Sequence, residues 1–232
     1  MVTTTTTATP AATMTIDVGV AKLLAWLSPA FPVGAFSYSH GLEWAIETGE
    51  ASDLARLVDW VGDVLEHGAG LVDATLLRAA HAAEGEALAG IMDLANALHP
   101  SRERRMESLN QGRAFLDTVG AAWPAPGLAV ISGPVAYPVA VALAARAHGL
   151  GVELVVPAYL QAFAANLVSA AVRLVPLGQT DGQRAIERLF PVIARVTARS
   201  RDLDPERAGG AVLRADLASM RHETQYTRLF RS

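Results

Sequence analysis

The chain has 232 residues, 51% hydrophobic and 18% charged, a size that suits one compact domain able to bury a core without disulfide or metal staples. It contains no cysteine, which excludes disulfide scaffolds, cysteine zinc sites, iron–sulfur clusters and thiol nucleophiles, and which suits a reducing cytoplasm. Its 19 basic and 23 acidic residues, net −4, lack the footprint of a nucleic-acid binder, yet residues 184–232 hold 10 basic and 6 acidic side chains, a basic end on an acidic body.

Residues 1–15 are rich in Thr and Ala, with no basic start and no apolar run, so they read as a disordered tail and not as a signal peptide. A domain is then expected over 16–232. Leu57, Trp60, Val61, Val64 and Leu65 fall at helical spacing, one face of a helix opened by Ser52 or Asp53. The same pattern runs on from Leu71 to Leu98, weakened by Gly85 and Gly90. Pro100 and Ser101 start a further helix carrying Met106, Leu109, Phe115 and Leu116, on which Arg102, Arg104 and Arg105, interleaved with Glu103 and Glu107, read as a solvated face. A Pro- and Gly-rich connection over Trp123–Pro138 leads to helices near 139–148 and 153–174. Thr180-Asp181-Gly182-Gln183 has the form of a capping box, which predicts a helix from Asp181 to about Ser200, and Asp204-Pro205 repeats a start signal. Val152–Val156 and Leu128–Ser132 could be short strands, but two isolated runs make no sheet. The expected fold is an all-α, single-domain helical bundle.

A mean hydropathy of +0.27 raises the question of a membrane. The chargeless stretch Thr118–Ala145 is broken by Pro124, Pro126, Pro134 and Pro138, and Leu154–Val172 holds Pro157, Gln161, Asn166 and Ser169. The second stretch is better read as a helix buried in the protein or at a subunit interface, with no membrane involved.

Catalytic patterns are missing. The only lysine, Lys22, does not follow a phosphate-loop glycine pattern, and Gly149 and Gly151 are followed by Leu154 where a dinucleotide fingerprint needs its third glycine. His222-Glu223-Thr224-Gln225-Tyr226 has Tyr where a zinc-protease motif needs its second His, and there is no Gly-x-Ser-x-Gly elbow. The six histidines form no pair at helical spacing; His40 with Glu43 would make at most a weak two-ligand site. Neither a resident metal nor a cofactor is expected.

Three segments are more idiosyncratic than helix packing requires: Ser28–Trp44 (SPAFPVGAFSYSHGLEW), Arg173–Arg184 (RLVPLGQTDGQR) and His222–Ser232 (HETQYTRLFRS). The last, polar and arginine-rich, is a poor core segment with few expected core contacts and a plausible interface segment. In order and spacing the three resemble the UreF family of urease accessory proteins, over roughly Leu23–Ser232. That resemblance implies an all-α, dimeric, non-enzymatic, cytoplasmic protein. Its partners would be UreD (also called UreH), the GTPase UreG and the subunits of apo-urease, in a complex that inserts nickel, with UreG regulated by the UreF-type subunit. Carried over by motif, Phe36, Tyr38, His40, Glu43, His222, Glu223, Tyr226 and Arg228 become candidates for the partner surface, and the terminus becomes a segment that orders on binding. Tyr159, Gln161 and Asn166 become candidates for the dimer contact. A second reading is a metallochaperone that binds nickel itself.

Overall fold

The computed structural model describes residues 18–128 and 131–232; the expected disordered tail lies outside the described residues. Among them are ten α-helices and no strand: α1 (Val18–Trp26), α2 (Leu42–Glu47), α3 (Leu54–His67), α4 (Ala69–Ala82), α5 (Gly85–Ala97), α6 (Arg102–Ala122), α7 (Tyr137–Ala147), α8 (Val152–Leu174), α9 (Gln179–Arg199) and α10 (Leu213–His222).

The spacing that predicts α3 is the face it buries: Leu57, Trp60, Val61, Val64 and Leu65 all point inward, and the Asp53 side chain caps the helix by accepting from Arg56 N at 2.9 Å. Ser101 does the same for α6, accepting from Arg104 N at 3.2 Å. Helices α4, α7 and α8 occupy the centre. α4 packs against α3, α5, α7, α8 and α9, and α7 buries every residue from Pro138 to Ala145, which its alanines permit by letting neighbours approach closely. α8 is the one helix among the described residues long and apolar enough to cross a membrane; half of that stretch is buried inside the protein, against α2, α3, α4 and α9 among others.

Several boundaries differ from expectation. Leu71–Leu98 holds two helices, α4 and α5, because Ala83 and Glu84 are extended and Gly85 adopts a positive φ of 55°, which ends the first helix before the second begins. The capping box at Thr180 does not form: α9 starts earlier, with Gly178 as its N-cap. Val155 and Val156 lie in the first turns of α8, and the Leu128–Ser132 run is not a strand in its described part. Asp204-Pro205 opens only a single 3-10 turn, Pro205–Arg207, in which the Asp204 carboxylate accepts from Glu206 N. The last helix, α10, begins after Gly209 and Gly210 and seats on α2 and α6.

Candidate functional site

The loop before α2 and the end of the chain are built as one unit. After the 3-10 turn Ala35–Ser37 the backbone extends at Tyr38, then takes two left-handed residues, His40 (φ 59°) and Gly41 (φ 75°), before α2 begins. Gly41 is needed twice over: a side chain would be strained there, and a Cβ would stand 2.5 Å from the Ser219 backbone nitrogen of α10.

Across this loop lies the chain's last segment, which turns at Glu223 and Thr224 and bends twice more before its end. Arg231 N donates to Ser37 O at 2.8 Å, Ser39 N donates to Ser232 O at 2.6 Å, and the Ser39 hydroxyl donates to the same oxygen at 2.5 Å. The Glu43 carboxylate accepts from Leu229 N at 2.7 Å and Phe230 N at 3.0 Å. Phe230 is buried, with the Arg173 guanidinium 4.4 Å from its ring centre. Glu223 turns back to accept from Arg102 N at 2.9 Å, at the start of α6, where a carboxylate meets the unpaired amides and positive end of the helix. The terminus is therefore a strap fixed along its length. It does not have the few core contacts expected of a polar chain end, because its amides find partners on α2 and the loop before it, its polar side chains on α6 and Phe230 on α8.

His222, with no exposed surface, stands between two carboxylates: its Nδ1 lies 2.7 Å from Glu103 and its Nε2 3.1 Å from Glu43. The other Glu103 oxygen accepts from Arg228 at 2.6 Å. One turn further along α6, Glu107 is held by Arg104, by His40 Nε2 at 2.6 Å, by Gln111 at 3.0 Å and by the Ser232 hydroxyl at 2.7 Å. Burial alone would raise Glu107, but Arg104, His40 and Ser232 outweigh it and bring the carboxyl down to about 2. His40 is lowered to about 4, first by burial and then by Arg104, so the ring is neutral; its buried Nδ1 has no partner. The face of α6 read from sequence as solvated is therefore covered in part: Arg104 and Glu107 are buried because strap and loop lie over them, while Arg102 and Arg105 are exposed.

Beside this unit a groove of about 490 Å³ runs between α1 and α8. Leu24, Phe36 and Leu154 form exposed parts of its apolar walls; His40, Asp73, Arg104, Glu107 and Tyr159 reach it from below. Tyr159 donates to Asp73 at 2.7 Å, yet burial pushes the Asp73 carboxyl up to about 6.

The sequence-derived candidates thus divide by position. Tyr38, His40, Glu43 and His222 are inside the protein, Glu223 is partly covered, and Tyr226 is fully exposed. Arg228 is exposed and shares a cleft of about 670 Å³ with Tyr38, Met106 and Leu229. Phe36 lies apart from these, on the groove, together with the dimer candidates Tyr159 (buried), Gln161 and Asn166 (both half-buried). Sequence reasoning missed Glu103 and Glu107, whose partners lie more than a hundred residues away as well as nearby. It also missed the exposed apolar row Leu213, Leu217 and Met220 on α10, whose helical spacing is legible but whose outward direction is not. Among the described residues no group of three or more His, Asp or Glu is arranged to hold a metal ion.

The sequence model of the UreF family matches residues 51–190. The urease accessory protein UreF of Methylobacterium sp. (strain 4-46) is 52% identical over 218 residues, covering 90% of this chain and 87% of that one. The UreF proteins of Rhodopseudomonas palustris (strain BisB5) and Methylorubrum populi (strain ATCC BAA-705 / NCIMB 13946 / BJ001) are 50% and 52% identical over 219 residues, each covering 91% of this chain and 90% and 98% of their own.

Proposed function

The chain belongs to the UreF family of urease accessory proteins, and from that premise we propose that it is a non-enzymatic scaffold which, with UreD (UreH), recruits and regulates the GTPase UreG to deliver nickel into apo-urease. The observation that carries this reading is the strap. Its backbone is tied to α2 and the loop before it, and its side chains to α6, while Tyr226 and Leu229 stand free in solvent, so the surface is held in place before any partner arrives and a partner meets little ordering cost. Tyr226 and Arg228 are residue types that serve as interface anchors. Tyr38, His40, Glu43 and His222 support that surface from inside, and Glu223 joins it to α6. The homodimer would form across the groove, with Phe36, Gln161 and Asn166 in the contact and Tyr159 behind it. The protein would work in the cytoplasm.

A metallochaperone binding nickel in its own right is the poorer reading, since stable nickel binding needs several convergent ligands and the histidines are dispersed. The test is co-purification with the UreD and UreG counterparts on size exclusion, with and without GTP and magnesium. The double variant Tyr226→Ala, Leu229→Ala removes exposed side chains only. It should keep the helical circular dichroism of the parent and lose the complex, by about tenfold or more in affinity. An unchanged complex would remove the strap from the partner surface.

A further inference from the structure

Two of the strap's supports, Glu43 and His222, do more than fill space, and we infer that they form a buried clamp whose integrity decides whether residues 226–231 are presented to a partner at all. The inference rests on the reading of the strap as a partner surface. His222 has no exposed surface and Glu43 is 6% exposed, so neither can touch a partner while the strap is in place. Both are positioning residues.

The geometry gives each a separate task. The Glu43 carboxylate is the sole acceptor for two consecutive strap amides, Leu229 and Phe230, and also faces His222 Nε2. No strand pairing takes up those two amides, so removing the carboxylate leaves both without their acceptor, that of Phe230 in a buried position. His222 links Glu43 of α2 to Glu103 of α6, and Glu103 in turn holds Arg228 on the strap. The ring thereby bridges carboxylates of two different helices. A chain of four side chains thus closes on the strap, and removing the Glu43 link releases the Leu229 and Phe230 amides while the ties at Ser37, Ser39 and Glu107 remain.

The experiment uses the full chain and the variants Glu43→Gln and Glu43→Asp, with amide hydrogen exchange read residue by residue. In Glu43→Gln, exchange at Leu229 and Phe230 should rise about tenfold or more, the expected result of losing charge-assisted hydrogen bonds, while amides of α3, α4 and α8 keep their protection. Glu43→Asp, which retains the carboxylate, should recover part of that protection. Complex formation with the UreD and UreG counterparts should weaken in proportion. Unchanged exchange at Leu229 and Phe230 in Glu43→Gln overturns the clamp. Lost protection with an undiminished complex overturns its role in presentation. The Tyr226→Ala, Leu229→Ala variant separates these failures from a failure of the underlying reading, since it leaves the clamp intact: if it too binds undiminished, the strap is not the partner surface.

Discussion

Asp73 shows how one residue registers its surroundings. It sits under the groove with Tyr159 donating to it, and burial lifts its carboxyl from the ordinary range to about 6. Its proton is therefore held more tightly in the folded chain than in the unfolded one. Below about pH 4 both states are protonated and stability is complete; between pH 4 and 6 the unfolded state releases its proton first, so folding stability falls as pH rises. Asp73→Asn keeps an acceptor for Tyr159 and mimics the protonated carboxyl at every pH. Its stability advantage over the parent should grow from near zero at pH 4 to about 2–3 kcal/mol at pH 7, measured by urea unfolding across that range. An advantage that does not vary with pH would mean that Asp73 is already ionised throughout. None of this is legible in the sequence. Asp73 stands in an apolar helical pattern like any surface acid, and only the packing of α8 over α4 brings Tyr159 to it. His40 and Glu43 are legible as unusual, but His40 meets Glu107 of α6 and Glu43 meets His222 of α10, both far along the chain, so their burial is a tertiary fact.

At the level of elements, helical periodicity carries most of the fold. The α3 stripe and the Asp53 and Ser101 caps stand where the pattern puts them, because a repeat of buried positions and a local side-chain acceptor are properties of short sequence. The capping box at Thr180 fails because α9 finds a start two residues ahead of Asp181, at Gln179, leaving the Thr inside the first turn. The strap fails as a sequence inference for a different reason. Its composition is polar, but its stability comes from its backbone amides meeting the Glu43 carboxylate of α2 and from the first amide of α6 meeting its Glu223, and amides are common to every sequence. This reverses the expectation for a truncated chain. Ending the protein at Arg221 removes the buried ring of His222 and Phe230 and leaves Glu43 and Glu107 buried with fewer donors. Such a truncation should cost about 3–5 kcal/mol, the range for breaking a buried charged pair, and should lower the denaturation midpoint clearly, whereas Tyr226→Ala should leave it unmoved. A truncated chain as stable as the parent would show that the strap is only laid on the surface.

For the whole molecule, the question is why so apolar a chain, with mean hydropathy +0.27, keeps large apolar side chains outside. Part of the answer is α8, whose inner face fills the core while its outer face, with α1 and Phe36, forms the groove. The sequence marks α8 as unusually free of charge, but the contribution of α1 appears only when the two helices are side by side. A groove with Leu24 69% exposed, Phe36 67% and Leu154 38% is the kind of apolar surface that another subunit covers. If a second copy of the chain covers it, charge placed on the rim must oppose association without touching the core. Leu24→Glu with Leu154→Glu should therefore retain the parent's thermal unfolding midpoint to within a few degrees and weaken self-association by more than about a hundredfold, since two buried, unpaired carboxylates per subunit would have to be desolvated. Sedimentation equilibrium over a range of concentrations reads this directly. A double variant that sediments as the parent does would place the subunit contact on another face, and the exposed Leu213, Leu217 and Met220 row of α10 would then be the next surface to charge.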